Sequence, residues 1–61
     1  MVSVYVSVMD YCAAAIKMYR LILPKNWQVE DVEEWLRVNT DYKDSQCFFM
    51  TSEKEIEVIY K

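Results

Sequence analysis

Four valines occupy every second position at the start of the chain, and this alternation constrains the fold more than any other feature. Val2, Val4, Val6 and Val8 are separated by single residues within positions 1–9. Side chains of a strand point alternately to its two faces, and β-branched residues suit a pleated, half-buried surface. The first nine residues are therefore predicted to form a strand whose valine face a second layer covers.

A second strand is predicted over residues 14–23, with a helix as the alternative. The second half of this segment is mostly apolar and ends at Pro24. The residue before a proline prefers extended geometry, which favours the strand. The helix has some support, because Asp10 is a good capping residue and three alanines follow it closely. A turn over residues 10–13 would join the two strands into a hairpin.

An amphipathic helix is predicted between the connector at residues 24–27 and Asn39. Apolar residues recur there at three-to-four spacing, and acidic residues fill the other face and the first turns. Either Asn26 or Gln28 is expected to cap its start, and Asn39 is expected to end it in the left-handed conformation that asparagine tolerates. Trp27 is expected to join the helix start to the sheet. The core side of the helix is expected to consist of Val29, Val32, Leu36 and either Trp35 or Asn39.

Two further strands are predicted after the helix. A polar loop over residues 40–45 precedes an aromatic-rich strand over residues 46–50. A polar turn over residues 51–54 leads to another alternating segment over residues 55–61. The predicted fold class is therefore α+β: a small antiparallel sheet in the order β-β-α-β-β, with one amphipathic helix packed on one face. At this length the whole chain is predicted to be a single domain.

The chain contains no glycine, so every turn has to be built from residues that carry a side chain. Glycine is the residue that adopts positive φ without steric cost. Asparagine and aspartate are its best substitutes in turns. These positions are therefore expected at Asp10, Asn26, Asn39 and Asp44.

Catalysis is not predicted, because the chain lacks the groups that activate a nucleophile. It has no histidine, and Cys12 and Cys47 have no obvious activator. Both thiols are expected to be free, buried and inert. Two cysteines without histidine cannot complete a four-ligand zinc site unless carboxylates join them, and the acids in residues 40–45 match no known calcium-loop spacing. We therefore expect no enzymatic activity, no cofactor and no metal.

Charge and hydropathy limit the classes of partner and the location. The net charge is −3, which disfavours direct binding of nucleic acid because phosphate binding needs clustered lysine and arginine. No apolar stretch approaches the ~18 residues of a membrane span. The first residues do not match a secretory signal peptide. A cytoplasmic protein with no membrane contact is expected.

Apolar and aromatic residues exceed what one small core needs. Of the 61 residues 54% are hydrophobic, and there are five tyrosines, two tryptophans and two phenylalanines. One helix covers only one sheet face, so apolar residues on the other face are expected to contact another molecule. A homodimer is the default prediction, and a larger structural assembly is the alternative. The predicted oligomer face consists of Tyr5, Met9, Tyr19, Phe48 and Met50.

The acidic side of the helix is a second candidate partner-binding surface. It carries Glu30, Glu33 and Glu34. An acidic surface steers the approach of a basic protein, although acidic residues on a helix also serve solubility alone. This surface is therefore a hypothesis for binding a second protein.

Two segments give the chain a general resemblance to a group of small proteins. In Leu23–Trp27 a strand ends at proline and a tryptophan follows, and Glu33–Arg37 belongs to an acidic amphipathic helix. In this character the chain resembles small proteins encoded by phages and prophages. The resemblance implies a non-enzymatic, homodimeric protein that inhibits a host defence or nucleic-acid-processing protein in the host cytoplasm. It transfers no functional residue to this chain.

Overall fold

The computed structural model describes residues 1–61 and contains three strands and one helix. Strand β1 spans Val2–Asp10, β2 spans Ala15–Leu23, α1 spans Val29–Asn39 and β3 spans Cys47–Ser52. The strands form one antiparallel sheet in the order β2-β1-β3, so β1 is central and both of its neighbours are edge strands. The predicted α+β class, antiparallel sheet and single helix are confirmed.

The valine face of β1 packs against the helix, as its alternation predicts. Val4 and Val6 are fully buried there, together with Val32 and Leu36 of α1. Each fully buried aliphatic side chain contributes about 1.5–3 kcal/mol relative to an exposed one. The Cα atoms extend over 32 × 30 × 14 Å, which describes a slab of one sheet and one helix layer. The complete core consists of Val4, Val6, Val8, Leu21, Val32, Leu36 and Cys47.

A four-residue turn over Tyr11–Ala14 joins β1 to β2. The Asp10 carboxylate accepts hydrogen bonds from the backbone N–H groups of Cys12 and Ala13, at 3.0 and 3.1 Å. Ala14 then adopts a φ of 51°, and no other residue has positive φ. The positive φ was expected at asparagine or aspartate, and this prediction was wrong. Asp10 organises the turn through its side chain, and the left-handed conformation falls on an alanine.

The helix begins and ends close to the predicted positions. Gln28 is its N-cap, and the backbone N–H of Gln28 donates to the Asp31 carboxylate at 2.9 Å. Asn39 is the last helical residue, but it is not left-handed. The hydroxyl and the N–H of Thr40 both donate to the Leu36 carbonyl, so the helix end needs no left-handed residue. Val29 was predicted to face the core and is instead half-exposed.

The predicted fourth strand is absent, which corrects the β-β-α-β-β order to β-β-α-β. Residues 55–61 have no regular secondary structure, and they make no hydrogen bond. No residue after Ser52 adopts positive φ, which a tight two-residue hairpin would require at its centre. Instead the Ser52 hydroxyl accepts the Lys54 N–H, and the Trp27 indole N–H donates to Glu53 at 2.8 Å. These contacts lead the chain away from the outer edge of β3.

Candidate functional site

The sheet face opposite α1 is uncovered, and we call it the open face. The register of the strands assigns its residues directly, because side chains of paired residues point to the same face. Its large apolar side chains are between 40% (Met9) and 62% (Phe48) exposed. This face consists of Ser3, Tyr5, Ser7 and Met9 in β1, Ile16, Met18, Arg20 and Ile22 in β2, and Phe48, Met50 and Ser52 in β3.

Four of the five residues predicted for the oligomer face lie together on the open face. They are Tyr5, Met9, Phe48 and Met50. Tyr19 is the exception, because it pairs with Val6 and therefore lies on the valine face. There its ring packs edge-on against Trp35, with ring centroids 5.7 Å apart. Tyr19 is part of the helix–sheet contact and not of the open face.

Strand β2 contributes three apolar residues to the open face, none of which is Tyr19. Ile16, Met18 and Ile22 all lie on the open face and are exposed. The signal was present in the loop length. A four-residue loop pairs an even-numbered residue of β1 with an odd-numbered residue of β2, as in Asp10 with Ala15. Odd residues of β2 therefore join the even-numbered valines, and even residues face outward.

The apolar side chains of the open face concentrate towards the β1–β2 turn. Met9 pairs with Ile16 on one side and with Phe48 on the other. Tyr11 extends this row by packing edge-on against Phe48, with ring centroids 5.7 Å apart. A shallow, mostly apolar cavity of about 270 Å³ lies beside it, lined by Met9, Tyr11, Ile16 and residues of the turn. The next row places Met18 and Met50 on either side of Ser7.

Arg20 is the single charged residue of the open face. It pairs with Tyr5 across the strands and is exposed. It takes part in none of the three salt bridges of the structure. The five N–H donors of its guanidinium are therefore not engaged by any carboxylate of the chain.

The three acidic residues predicted for the helix surface differ in whether they form salt bridges. Glu33 lies 3.2 Å from Arg37, which also binds Asp44 at 2.5 Å. The hydrogen bond from Arg37 to Asp44 raises the pKa of the arginine. Glu30 and Glu34 are exposed and form no salt bridge. Of the three predicted acids, these two are accessible to a basic partner, whereas Glu33 is engaged within the chain.

A second exposed ion pair joins β2 to the loop after the helix. The Lys17 ammonium lies 3.1 Å from the Asp41 carboxylate. The hydrogen bond from Lys17 lowers the pKa of Asp41, and the same bond raises the pKa of Lys17. Tyr42, next in the chain, packs edge-on against Phe49. Partial burial, followed by the nearby Asp44 charge, raises the pKa of its phenol.

The reactive side chains are dispersed. Both cysteines are free, as predicted, but Cys12 is exposed in the turn and only Cys47 is buried. The expectation of two buried thiols is therefore wrong for Cys12. No group of three or more histidine, cysteine or acidic residues is arranged to hold a metal ion. The helix of the structure is too short to cross a membrane.

Comparisons with known proteins give this chain no relatives on which to base a function. No protein-family model matches it. The curated proteins and the solved structures likewise give no significant match. The functional argument therefore depends on the geometry of the open face and of the surfaces around it.

Proposed function

We propose that the chain is a non-enzymatic protein-binding domain that associates with a second copy of itself through the open face. The observation that carries this proposal is the exposure of six large apolar side chains on the one sheet face that no helix covers. Antiparallel sheets that face water on one side usually present polar side chains there. In this sheet the solvent side is mainly methionine, isoleucine and phenylalanine.

The size of the open face supports a stable contact. At roughly 100 Å² of exposed area each, the six side chains make a patch of about 600 Å², the upper end for a typical monomer. Tyr5 and Tyr11 lie beside it and bring the area towards the ~800 Å² that each partner contributes to a standard interface. Methionine and tyrosine are also enriched in interface cores.

A two-fold homodimer fits this surface better than an open assembly. A single self-complementary patch closes when two copies meet face to face, and cyclic dimers are the commonest oligomers. Growth into a larger assembly needs a second, different contact surface. The hypothesis of host-protein inhibition has only the accessible acids Glu30 and Glu34 in its support, so self-association is the function that we propose.

Sedimentation of matched charge variants tests the proposal. The Met50→Asp variant places a charge among the apolar side chains of the open face, and an unpaired buried charge is strongly unfavourable. Val38→Asp is the control, because Val38 is 75% exposed on the helix, away from that face. We expect the wild type and Val38→Asp to sediment as dimers and Met50→Asp to sediment as a monomer. Circular dichroism should show that the Met50→Asp monomer is folded.

The same experiment separates the alternatives. A wild-type chain that stays monomeric at millimolar concentration would refute self-association. Species larger than a dimer that grow with concentration would favour the structural assembly. A Met50→Asp variant that dimerises as tightly as the wild type would exclude the open face as the contact.

A further inference from the structure

Residues 55–61, which we call the terminal segment, have the sequence pattern of a strand but no strand partner. Ile56, Val58 and Tyr60 alternate with Glu55 and Glu57. Ile56 is half-buried, whereas Val58, Ile59 and Tyr60 are exposed, and Tyr60 is 91% exposed. The backbone of the segment makes no hydrogen bond. The backbone of the segment and the exposed side chains of Val58, Ile59 and Tyr60 are therefore free to pair with a sheet edge.

The outer edge of β2 is a matching acceptor. It is a nine-residue edge strand, and its outer side has no neighbour in the sheet. Long edge strands present a row of free N–H and C=O groups that accept an added strand. In its own chain the terminal segment follows β3, the strand at the opposite edge of the sheet, and it forms no pairing with β2. The outer edge of β2 therefore remains open to the segment of a second copy.

We infer that the terminal segment of one copy adds as an antiparallel strand to the outer edge of β2 in a second copy, with Glu57 opposite Arg20. This inference rests on the proposed self-association and assigns it a second contact. Arg20 has no carboxylate partner in its own chain, and Glu57 provides one. Opposite charges that face each other across paired strands are stabilising.

The remaining side chains agree with this register on both faces. Beside the valine face, Ile56 lies opposite Leu21 and Val58 lies opposite Tyr19, which extends the core by one strand. On the open face, Ile59 lies opposite Met18. A shift by one residue would bring Glu55 and Glu57 to the valine face and Ile56 and Val58 to the open face, so the register is well specified.

A charge exchange tests the pairing of Glu57 with Arg20. Arg20→Glu and Glu57→Arg should each weaken the dimer about tenfold, because reversal turns an attraction into a repulsion at two equivalent contacts. The double variant restores the pair and should recover most of the affinity in sedimentation experiments. Glu55→Arg is the matched control and should have a smaller effect. Two single losses that simply add in the double variant would overturn the inference.

Cross-linking tests the orientation. In a Cys12→Ser background, Met18→Cys with Ile59→Cys should give a covalent dimer on oxidation, since antiparallel pairing brings their Cβ atoms to about 5 Å. Ile22→Cys with Ile59→Cys is the control, because those residues meet only in a parallel register. A covalent dimer from the control pair alone would overturn the antiparallel arrangement.

Failure of this inference can be distinguished from failure of the proposed function. If removal of residues 55–61 leaves the dimer intact while Met50→Asp dissociates it, the open-face contact stands and the strand addition fails. If removal dissociates the dimer while Met50→Asp does not, the strand addition stands alone. A wild-type chain that never dimerises refutes both.

Discussion

Two adjacent residues of β2 test which side of the sheet is core and which side is contact surface. Tyr19 lies on the valine face against Trp35, and Met18 lies on the open face. We therefore compare Tyr19→Ala with Met18→Ala. The two substitutions are neighbours in the same edge strand, so effects on strand propensity are similar, and the difference between them reports the environment of each side chain.

The structure gives the expected magnitudes. Truncation of a fully buried aromatic residue costs about 3–5 kcal/mol, and Tyr19 is only half-buried. Roughly half of that cost, together with about 1 kcal/mol for the edge-on contact with Trp35, gives a loss of about 2.5–3.5 kcal/mol. Met18 is 45% exposed and is not one of the core residues. Its truncation should cost at most about 1 kcal/mol in the monomer.

Urea denaturation followed by tryptophan fluorescence measures both variants. The measurement requires protein dilute enough to be monomeric, so that loss of dimer contacts does not enter. With an m value of about 1 kcal/mol per molar urea, Tyr19→Ala should lower the midpoint by ~2.5–3.5 M and Met18→Ala by less than ~1 M. Because a core of this size supplies only about 3–5 kcal/mol, Tyr19→Ala should be close to unfolded in water. An equal loss for both variants, or a larger one for Met18→Ala, would refute the assignment of the faces.

Two further predictions concern the turn and the Lys17–Asp41 ion pair. Ala14→Gly should raise the free energy of unfolding by about 0.5–1 kcal/mol, because glycine adopts positive φ without steric cost. The control Ala13→Gly should give no gain. Equal denaturation midpoints for Ala14→Gly and the wild type would count against the left-handed turn. The Asp41 pKa is lowered in the folded chain, so its contribution to stability is present above the ordinary aspartate pKa of about 3.9 and is lost as the pH falls through the lowered value. Wild type and Asp41→Asn should therefore differ slightly in melting temperature near ~pH 6, and their melting temperatures should converge near ~pH 2. A difference that persists in acid would contradict the ion-pair explanation.

The elements with strong local patterns were predictable from the sequence. Alternating valines identified β1, and the proline after Leu23 correctly favoured a strand for β2. Three-to-four spacing and the acidic first turn located α1, and Gln28 was one of its two predicted caps. In each case the local preference and the tertiary packing agree, which is the condition under which local patterns are reliable.

The errors arose where the outcome depends on how elements meet. The alternation of residues 55–61 was a sound strand pattern, but a strand needs a partner, and the chain after Ser52 turns towards Trp27. The predicted turn of four residues already implied that Tyr19 joins the valine face, since only a change of one residue in its length moves the side chains of β2 to the other face, and the prediction did not carry this parity through. Four of the five predicted contact residues lie in β1 and β3, on the open face, and their role in a contact stays a prediction.

The position of β1 at the centre of the sheet has a consequence during synthesis. Its hairpin with β2 is local and can form within about 1–10 μs. Its other neighbour is distant in sequence, because Met9 pairs with Phe48. At ~5–20 residues per second the ribosome needs roughly 1–5 s to produce the residues from the end of β2 at Leu23 to Phe48. Throughout that interval the nascent hairpin has one bare backbone edge and an uncovered row of valines, so a chaperone or a neighbouring nascent chain meets this protein first at β1.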